Sequence, residues 1–250
     1  MLEREDRGEI AILRMAHGKA SALDTELALA LAGACEEIQR GAARALVLTG
    51  IGSIFSAGVD LFRVTGGGAT YLDSFLPALS RLIRRLFTLD KPVVAAINGH
   101  AIAGGCIMAC ACDYRIMARG QGRIGVPELL VGVPFPAAAL EVMRFTLAPH
   151  ELQQAVLTGA THGPDAALAR GFADELAEPA QLLERALAVA RQLAAVPAQS
   201  FALTKRALRR PTLECMLRHA DAFDQDVGSA WRDESVLATM RDYVARTIKK

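Results

Sequence analysis

One stretch of this chain narrows its possible folds more than any other. From Pro92 to Cys112 there are 21 residues without an Asp, Glu, Lys or Arg. That is long enough for a helix to cross a bilayer. Its make-up points elsewhere: it opens on Pro92, carries Asn98, Gly99, His100 and the pair Gly104-Gly105, and uses Ala where a spanning helix would use Leu. A lone spanning helix needs stronger apolar character through its middle. The run is therefore expected inside a soluble domain, with no membrane partner. The remaining 229 residues support a large core, since the whole chain of 250 is 52% apolar and 22% charged, which also excludes a disordered chain. With 28 basic against 27 acidic side chains, the basic footprint of a nucleic-acid binder is missing. Met1 to Gly8 alternates charges without an apolar signal core, so a cytoplasmic location is expected. Five cysteines (Cys35, Cys106, Cys110, Cys112, Cys215) lack CxxC spacing. They are expected as small hydrophobes in a reducing compartment, with no metal role.

Short apolar runs alternate with helical periods. Glu9 to Leu13 alternates before a turn at His17-Gly18, and Ala45 to Thr49 and Val93 to Ile97 are fully apolar strands. Tyr114 to Met117 and the region around Ile124 supply further short strands. Helical spacing runs through Thr25 to Gln39, closed by Gly41, through Tyr71 to Leu89, and through Gly104 to Cys112. Buried strands joined by helices predict an α/β fold with a mainly parallel sheet and right-handed crossovers. Beyond Pro134 the helical stretches are Ala137 to Leu147, Glu151 to Leu157, Asp165 to Ala169, Gln181 to Ala195 and most of Ser200 to Ile248. Residues 1–195 are expected to form an α/β core and 196–250 a helical C-terminal region.

Three places could carry chemistry. Ser53-Ile-Phe-Ser-Ala-Gly-Val-Asp60 follows the strand at Ala45, and Ala103-Gly104-Gly105 follows the strand at Val93 and opens a helix. A glycine turn can aim backbone N–H groups outward, and a helix N-terminus attracts negative charge. Singly, each is as readily a tight turn of small residues chosen for close packing. Two such turns after consecutive parallel strands would meet at one sheet edge, where α/β ligand sites gather. The third is Glu128, flanked by Val126, Leu129, Leu130 and Val131. A carboxylate short of water has a raised pKa and can act as a base. The bland alternative is an acid at a strand end facing solvent.

The order of Lys19-Ala-Ser-Ala-Leu-Asp24, Phe55-Ser-Ala-Gly-Val-Asp-Leu61, Ile97-Asn-Gly-His-Ala-Ile-Ala-Gly-Gly-Cys106, Cys112-Asp-Tyr-Arg115 and Val126-Pro-Glu-Leu-Leu-Val-Gly132 resembles the crotonase, or enoyl-CoA hydratase/isomerase, superfamily. The resemblance runs from about residue 8 into the C-terminal helices. It implies a crotonase-like spiral of ββα units acting on an acyl-CoA thioester, with the N–H groups of Ala57 and Gly104 holding the thioester oxygen and Glu128 moving the proton. It also implies substrate contacts from Lys19, Ser21, Ser56, Gly58, Val59, Asp60, Ala103 and Ile107, and a homotrimer or dimer of trimers built through residues 196–250. No metal or redox cofactor is implied, since CoA enters as part of the substrate. His100 is expected to shape the pocket by hydrogen bonding, and Arg81, Arg84 and Arg85 to form a wet helix face.

One departure bears on the reaction. The family's hydratases use two glutamates around a water, the first in the glycine-turn helix and the second in the Pro-Glu segment. Here the first position is Ile107, and the glycine-rich stretch that follows the second glutamate in hydratases is Val133-Pro-Phe-Pro-Ala137. Isoleucine cannot orient or protonate water. A single glutamate, as in the mitochondrial-type isomerases that this sequence resembles, suffices to shift a Δ3 double bond to trans-Δ2. Isomerase is the leading expectation, enoyl-CoA hydratase the second and a non-catalytic acyl-CoA binding protein the third. GxSxG, HExxH and P-loop patterns are missing from the sequence, so serine hydrolase, zinc protease and NTPase readings have no support.

Overall fold

A computed structural model describes residues 1–219 and 222–247. The chain begins with an antiparallel hairpin, β1 (Leu2–Arg7) and β2 (Ile10–Met15), followed by α1 (Thr25–Arg40). Three ββα units come next. The first is β3 (Ala45–Thr49), β4 (Ile54–Ser56) and α2 (Leu61–Thr88); the second is β5 (Val93–Ile97), β6 (His100–Ile102) and α3 (Gly104–Ala111); the third is β7 (Tyr114–Ala118), β8 (Ile124–Gly125) and α4 (Glu128–Val131). Then follow α5 (Ala137–Thr146), α6 (Pro149–Thr158), β9 (Thr161–His162), α7 (Pro164–Ala169), β10 (Glu175–Ala177), α8 (Leu182–Ala194), α9 (Ala198–His219), α10 (Ala222–Arg232) and α11 (Glu234–Thr247).

Each unit sends its two strands to different sheets. The first strands enter a six-stranded sheet ordered β1-β2-β3-β5-β7-β10, parallel from β2 onward. The second strands enter a four-stranded sheet ordered β4-β6-β8-β9, in which β4, β6 and β8 run parallel. The expected spiral of ββα units is thus present, with one adjustment. The two glycine turns follow β4 and β6, not β3 and β5 directly, because Gly50 and Asn98-Gly99 break each run into two short strands. Gly99 has no alternative: a Cβ there would lie 1.7 Å from Ser53 O.

Both faces of the larger sheet are buried, which explains the unbroken apolar runs. Ile12, Val47, Val94, Ala96 and Ile116 face α8, while Leu13, Leu46, Leu48, Ala95 and Ile97 join the main core with α1, α2 and α3. The uncharged stretch resolves into β5, β6 and α3, and α3 is buried along its whole length. Among the described residues no helix is long and apolar enough to cross a membrane. Cys35, Cys106, Cys110 and Cys112 are buried and free.

The charged strand β1 escapes hydropathy because it is an edge, exposed along most of its length. Helix α2 starts ten residues earlier than Tyr71, with a break at Gly68, where φ is 55°. Helical expectations for residues 220–221 and 248 lie outside the described residues. The C-terminal helices α10 and α11 fold back against α2 of the same chain. A buried ion cluster ties α9 to the core: Asp113 accepts from Val93 N (2.8 Å) and Lys205 Nζ (2.6 Å), and Arg209 Nη2 lies 2.9 Å from its other oxygen.

Candidate active site

Because β4, β6 and β8 are adjacent and parallel, the segments leaving their C-terminal ends converge. These are Ala57–Asp60, Ala103–Gly104 and Val126–Glu128, one from each ββα unit. Ala57, Val59, Asp60, Ala103, Gly104, Pro127 and Glu128 of these segments line a cavity of about 510 Å3, within the roughly 300–1,000 Å3 usual for small-molecule sites. Its interior is apolar, with Ile107, Val131, Val133, Phe135, Ala139 and Leu79. His17, Lys19, Asp60 and the exposed Phe62 stand on its solvent-facing side.

Glu128 opens the short helix α4 and is buried. Its Oε2 has no hydrogen-bond partner among the described residues. Burial therefore dominates, and it pushes the carboxyl up from an ordinary 4.5 to about 8. The source of dryness differs from the sequence expectation. Leu129 and Leu130 are exposed, because a one-turn helix points them away. Glu128 instead shares the cavity lining with the apolar Ile107, Val131 and Val133.

The donor turns are held by a network that also corrects the assignment of one donor. Ala57 N–H donates to Ala20 O (3.0 Å) and is not free. Leu23 N donates to Gly58 O (2.7 Å) and Asp60 N to Leu23 O (2.9 Å). The parallel bridge between Leu23 and Val59 leaves Val59 N–H, on the cavity lining, without a protein acceptor among the described residues. The outward donor of the first turn is thus Val59, two residues beyond Ala57. A backbone pattern of this kind depends on the partner loop, which motif spacing does not encode.

Gly104 N–H, the expected second donor, is the first of helix α3 and has no intrahelical acceptor. Ala103 holds φ at +52° to present it, a conformation a non-glycine residue adopts only under constraint. The constraint is visible: Ala103 N donates to Gly125 O at 2.8 Å. Gly58, with φ at +81°, makes room for this arrangement, since a Cβ there would lie 2.5 Å from Ile102 O and 3.1 Å from Gly104 N. The two donor turns therefore touch.

Other expected site residues divide into two groups. Lys19, Val59, Asp60, Ala103 and Ile107 line the cavity. Asp60 also caps α2, accepting from Arg63 N at 3.0 Å. Ser21, Ser56 and Gly58 do not line it. Ser21 Oγ donates to Met15 O (2.8 Å), Ser56 Oγ donates to Ser21 O (2.7 Å) and Gly58 N donates to Ser56 Oγ (3.2 Å). These residues prop the turn rather than face a ligand. His100 is also outside the lining; its backbone N–H donates to Ser53 O at 2.9 Å. Motif reading missed His17, whose Nε2 lies 2.6 Å from the buried Asp24 carboxylate, and Trp231 and Tyr243, which reach the cavity from α10 and α11.

The family model for enoyl-CoA hydratase/isomerase matches residues 5–246. The chain belongs to this family. Within it, the mitochondrial enoyl-CoA delta isomerase 1 of Mus musculus is 28% identical over 253 aligned positions, covering 100% of this chain and 88% of that protein. A putative enoyl-CoA hydratase of Thermus thermophilus is 35% identical over 81% of each chain. The solved human mitochondrial delta3-delta2-enoyl-CoA isomerase superposes with a TM-score of 0.94 at 27% identity, covering 98% of this chain and 97% of that one. The crotonase-family fold and an enzyme of the enoyl-CoA hydratase/isomerase family follow from this membership. Isomerases and hydratases both stand among the relatives, so the reaction must be argued from the cavity.

Proposed function

We propose that the protein moves the double bond of a Δ3-enoyl-CoA to the trans-Δ2 position, with Glu128 as the only proton carrier. The observation that carries this reading is Ile107, an apolar side chain on the cavity wall where a second carboxylate would be needed to handle water. Asp60, the other acid on the lining, is engaged as the α2 cap on the solvent-facing side.

In this mechanism the thioester oxygen accepts hydrogen bonds from Val59 N–H and Gly104 N–H. Glu128 removes a proton from C2, and the electron pair passes into the thioester as a dienolate. The same carboxyl returns the proton at C4, which leaves the double bond between C2 and C3. No water enters and the atoms balance.

The energetics favour this division of labour. Each pKa unit is worth about 1.36 kcal/mol, so raising the base from 4.5 to about 8 narrows the proton-transfer gap by roughly 5 kcal/mol. At pH 7 about a tenth of the carboxyls are then ionised, a cost of about 1.4 kcal/mol, so most of the gain is kept. Preorganised N–H donors in a dry site supply much of the remainder, with each donor typically worth about 3–4 kcal/mol. The α3 macrodipole points its positive end the same way. The test is turnover of 3-enoyl-CoA by the pure protein and by Glu128→Gln. Formation of 2-enoyl-CoA by the wild type, lost in the variant, supports the reading; equal rates in both would refute it.

A further inference from the structure

A second cavity, of about 610 Å3, lies between α2 and α10 and is lined by Leu76, Pro77, Ser80, Pro136, Val227 and Gly228, among others. It shares one residue with the active-site cavity: Pro136 lines both. The same two helices face both spaces from neighbouring turns. On α2, Leu79 faces the active-site cavity while Leu76 and Ser80 face the second. On α10, Trp231 faces the first while Val227 and Gly228 face the second. Pro136 therefore stands directly between the two cavities, and Leu79 and Trp231 form the active-site side of the partition beside it.

This partition is held in place. Trp231 is fully buried, and its Nε1 donates to Pro134 O at 2.9 Å. Three residues past Pro134, Ala137 N donates to Asp224 Oδ1 at 2.8 Å. Helix α10 thus grips both ends of the Pro134–Ala137 segment that follows α4, and a tryptophan packed and hydrogen-bonded in this way does not swing aside cheaply.

The polar groups of the active-site cavity, His17, Lys19 and Asp60, stand on its solvent-facing side, and the partition belongs to its apolar part. We infer that Leu79, Pro136 and Trp231 form the end wall of the acyl pocket and set the longest acyl chain the enzyme accepts. The inference rests on the enoyl-CoA reading above and names its substrate class: short- to medium-chain enoyl-CoA. At a share of about 30 Å3 per small heavy-atom group, the cavity's roughly 510 Å3 hold about 17 such groups. The thioester and the first atoms of pantetheine take several of these, leaving space for roughly ten acyl carbons.

The signature is a break in a chain-length series. Burying one more methylene tightens binding about fourfold, so kcat/KM rises by about that factor per carbon until the tail meets the wall, and then stops rising or falls. The experiment measures kcat/KM for 3-hexenoyl-, 3-octenoyl-, 3-decenoyl-, 3-dodecenoyl- and 3-hexadecenoyl-CoA with the wild type, Trp231→Ala and Leu79→Ala. Isothermal titration with saturated acyl-CoAs of the same lengths accompanies it. The wild type is expected to break near the decenoyl substrate. At least one variant is expected to move the break to longer chains and to raise the hexadecenoyl-to-hexenoyl ratio at least tenfold. Leu79→Ala keeps the question open to decision should Trp231→Ala fail to fold. A wild-type series still rising to hexadecenoyl, or folded variants with an unmoved break, would overturn the wall. Titration separates the two readings, since a length break in binding without any turnover leaves the wall standing and removes the isomerase.

Discussion

Glu128→Gln should make the folded protein more stable at high pH while abolishing its chemistry. The buried carboxyl has a pKa of about 8 in the folded state against an ordinary 4.5. Between those values the folded state keeps a proton that the unfolded chain has released. Stability is therefore complete below about pH 4.5 and is lost progressively as pH rises through the folded pKa. The whole shift corresponds to roughly 5 kcal/mol by pH 9. Glutamine is a close match for the protonated acid and does not titrate, so the variant escapes the loss. At pH 5 the two proteins should melt within about 3 °C of each other, and at pH 9 the variant should melt clearly higher. Even half the full effect, about 2.5 kcal/mol, raises Tm by about 5–10 °C in a chain of this size. Circular-dichroism melts of both proteins from pH 5 to pH 9 would measure it. A Tm difference that stays constant with pH, or a variant less stable at pH 9, would refute the claim that Glu128 is held dry and unpartnered.

Three further outcomes follow from particular contacts. Gly58→Ala drives a Cβ to 2.5 Å from Ile102 O and 3.1 Å from Gly104 N, separating the donor turns; kcat on 3-enoyl-CoA should fall at least 100-fold, in line with losing one oxyanion donor. Ile107→Glu sets a like charge in the same cavity; the pH at which the isomerisation rate rises should then move above that of the wild type, whose Glu128 carboxyl burial pushes up to about 8, since like charges oppose ionisation. Asp113→Asn strands buried Lys205, whose ammonium burial already lowers to about 8, and buried Arg209; denaturant unfolding should show a loss of about 3–5 kcal/mol.

Sequence patterning located what depends on local chain chemistry. The strands Ala45–Thr49 and Val93–Ile97 emerge at their true boundaries because both faces of the sheet are dry and every side chain must be apolar. Glu128 and Gly104 were legible as well, the first as a charge among apolar neighbours and the second as a glycine opening a helix. What escaped was set by distant partners. Val59 rather than Ala57 offers its N–H because the Ala20–Leu23 segment takes the alternate backbone groups. Ser56 Oγ donates to Ser21 O across that seam and Ser21 Oγ to Met15 O, so neither faces the cavity. Trp231 and Tyr243 reach the site only because α10 and α11 fold back on α2, and no local period records that return.

The single-carboxylate mechanism is tested most directly by comparing two reactions on one preparation: conversion of 3-enoyl-CoA to 2-enoyl-CoA, and hydration of 2-enoyl-CoA to the 3-hydroxyacyl thioester. With Glu128 and the apolar Ile107 on one cavity lining and Asp60 engaged as the α2 cap, kcat/KM for isomerisation should exceed that for hydration by at least about 100-fold, the scale on which one positioned acid–base group contributes. Hydration as fast as isomerisation would mean that water is activated without a second carboxylate, and would contradict the mechanism.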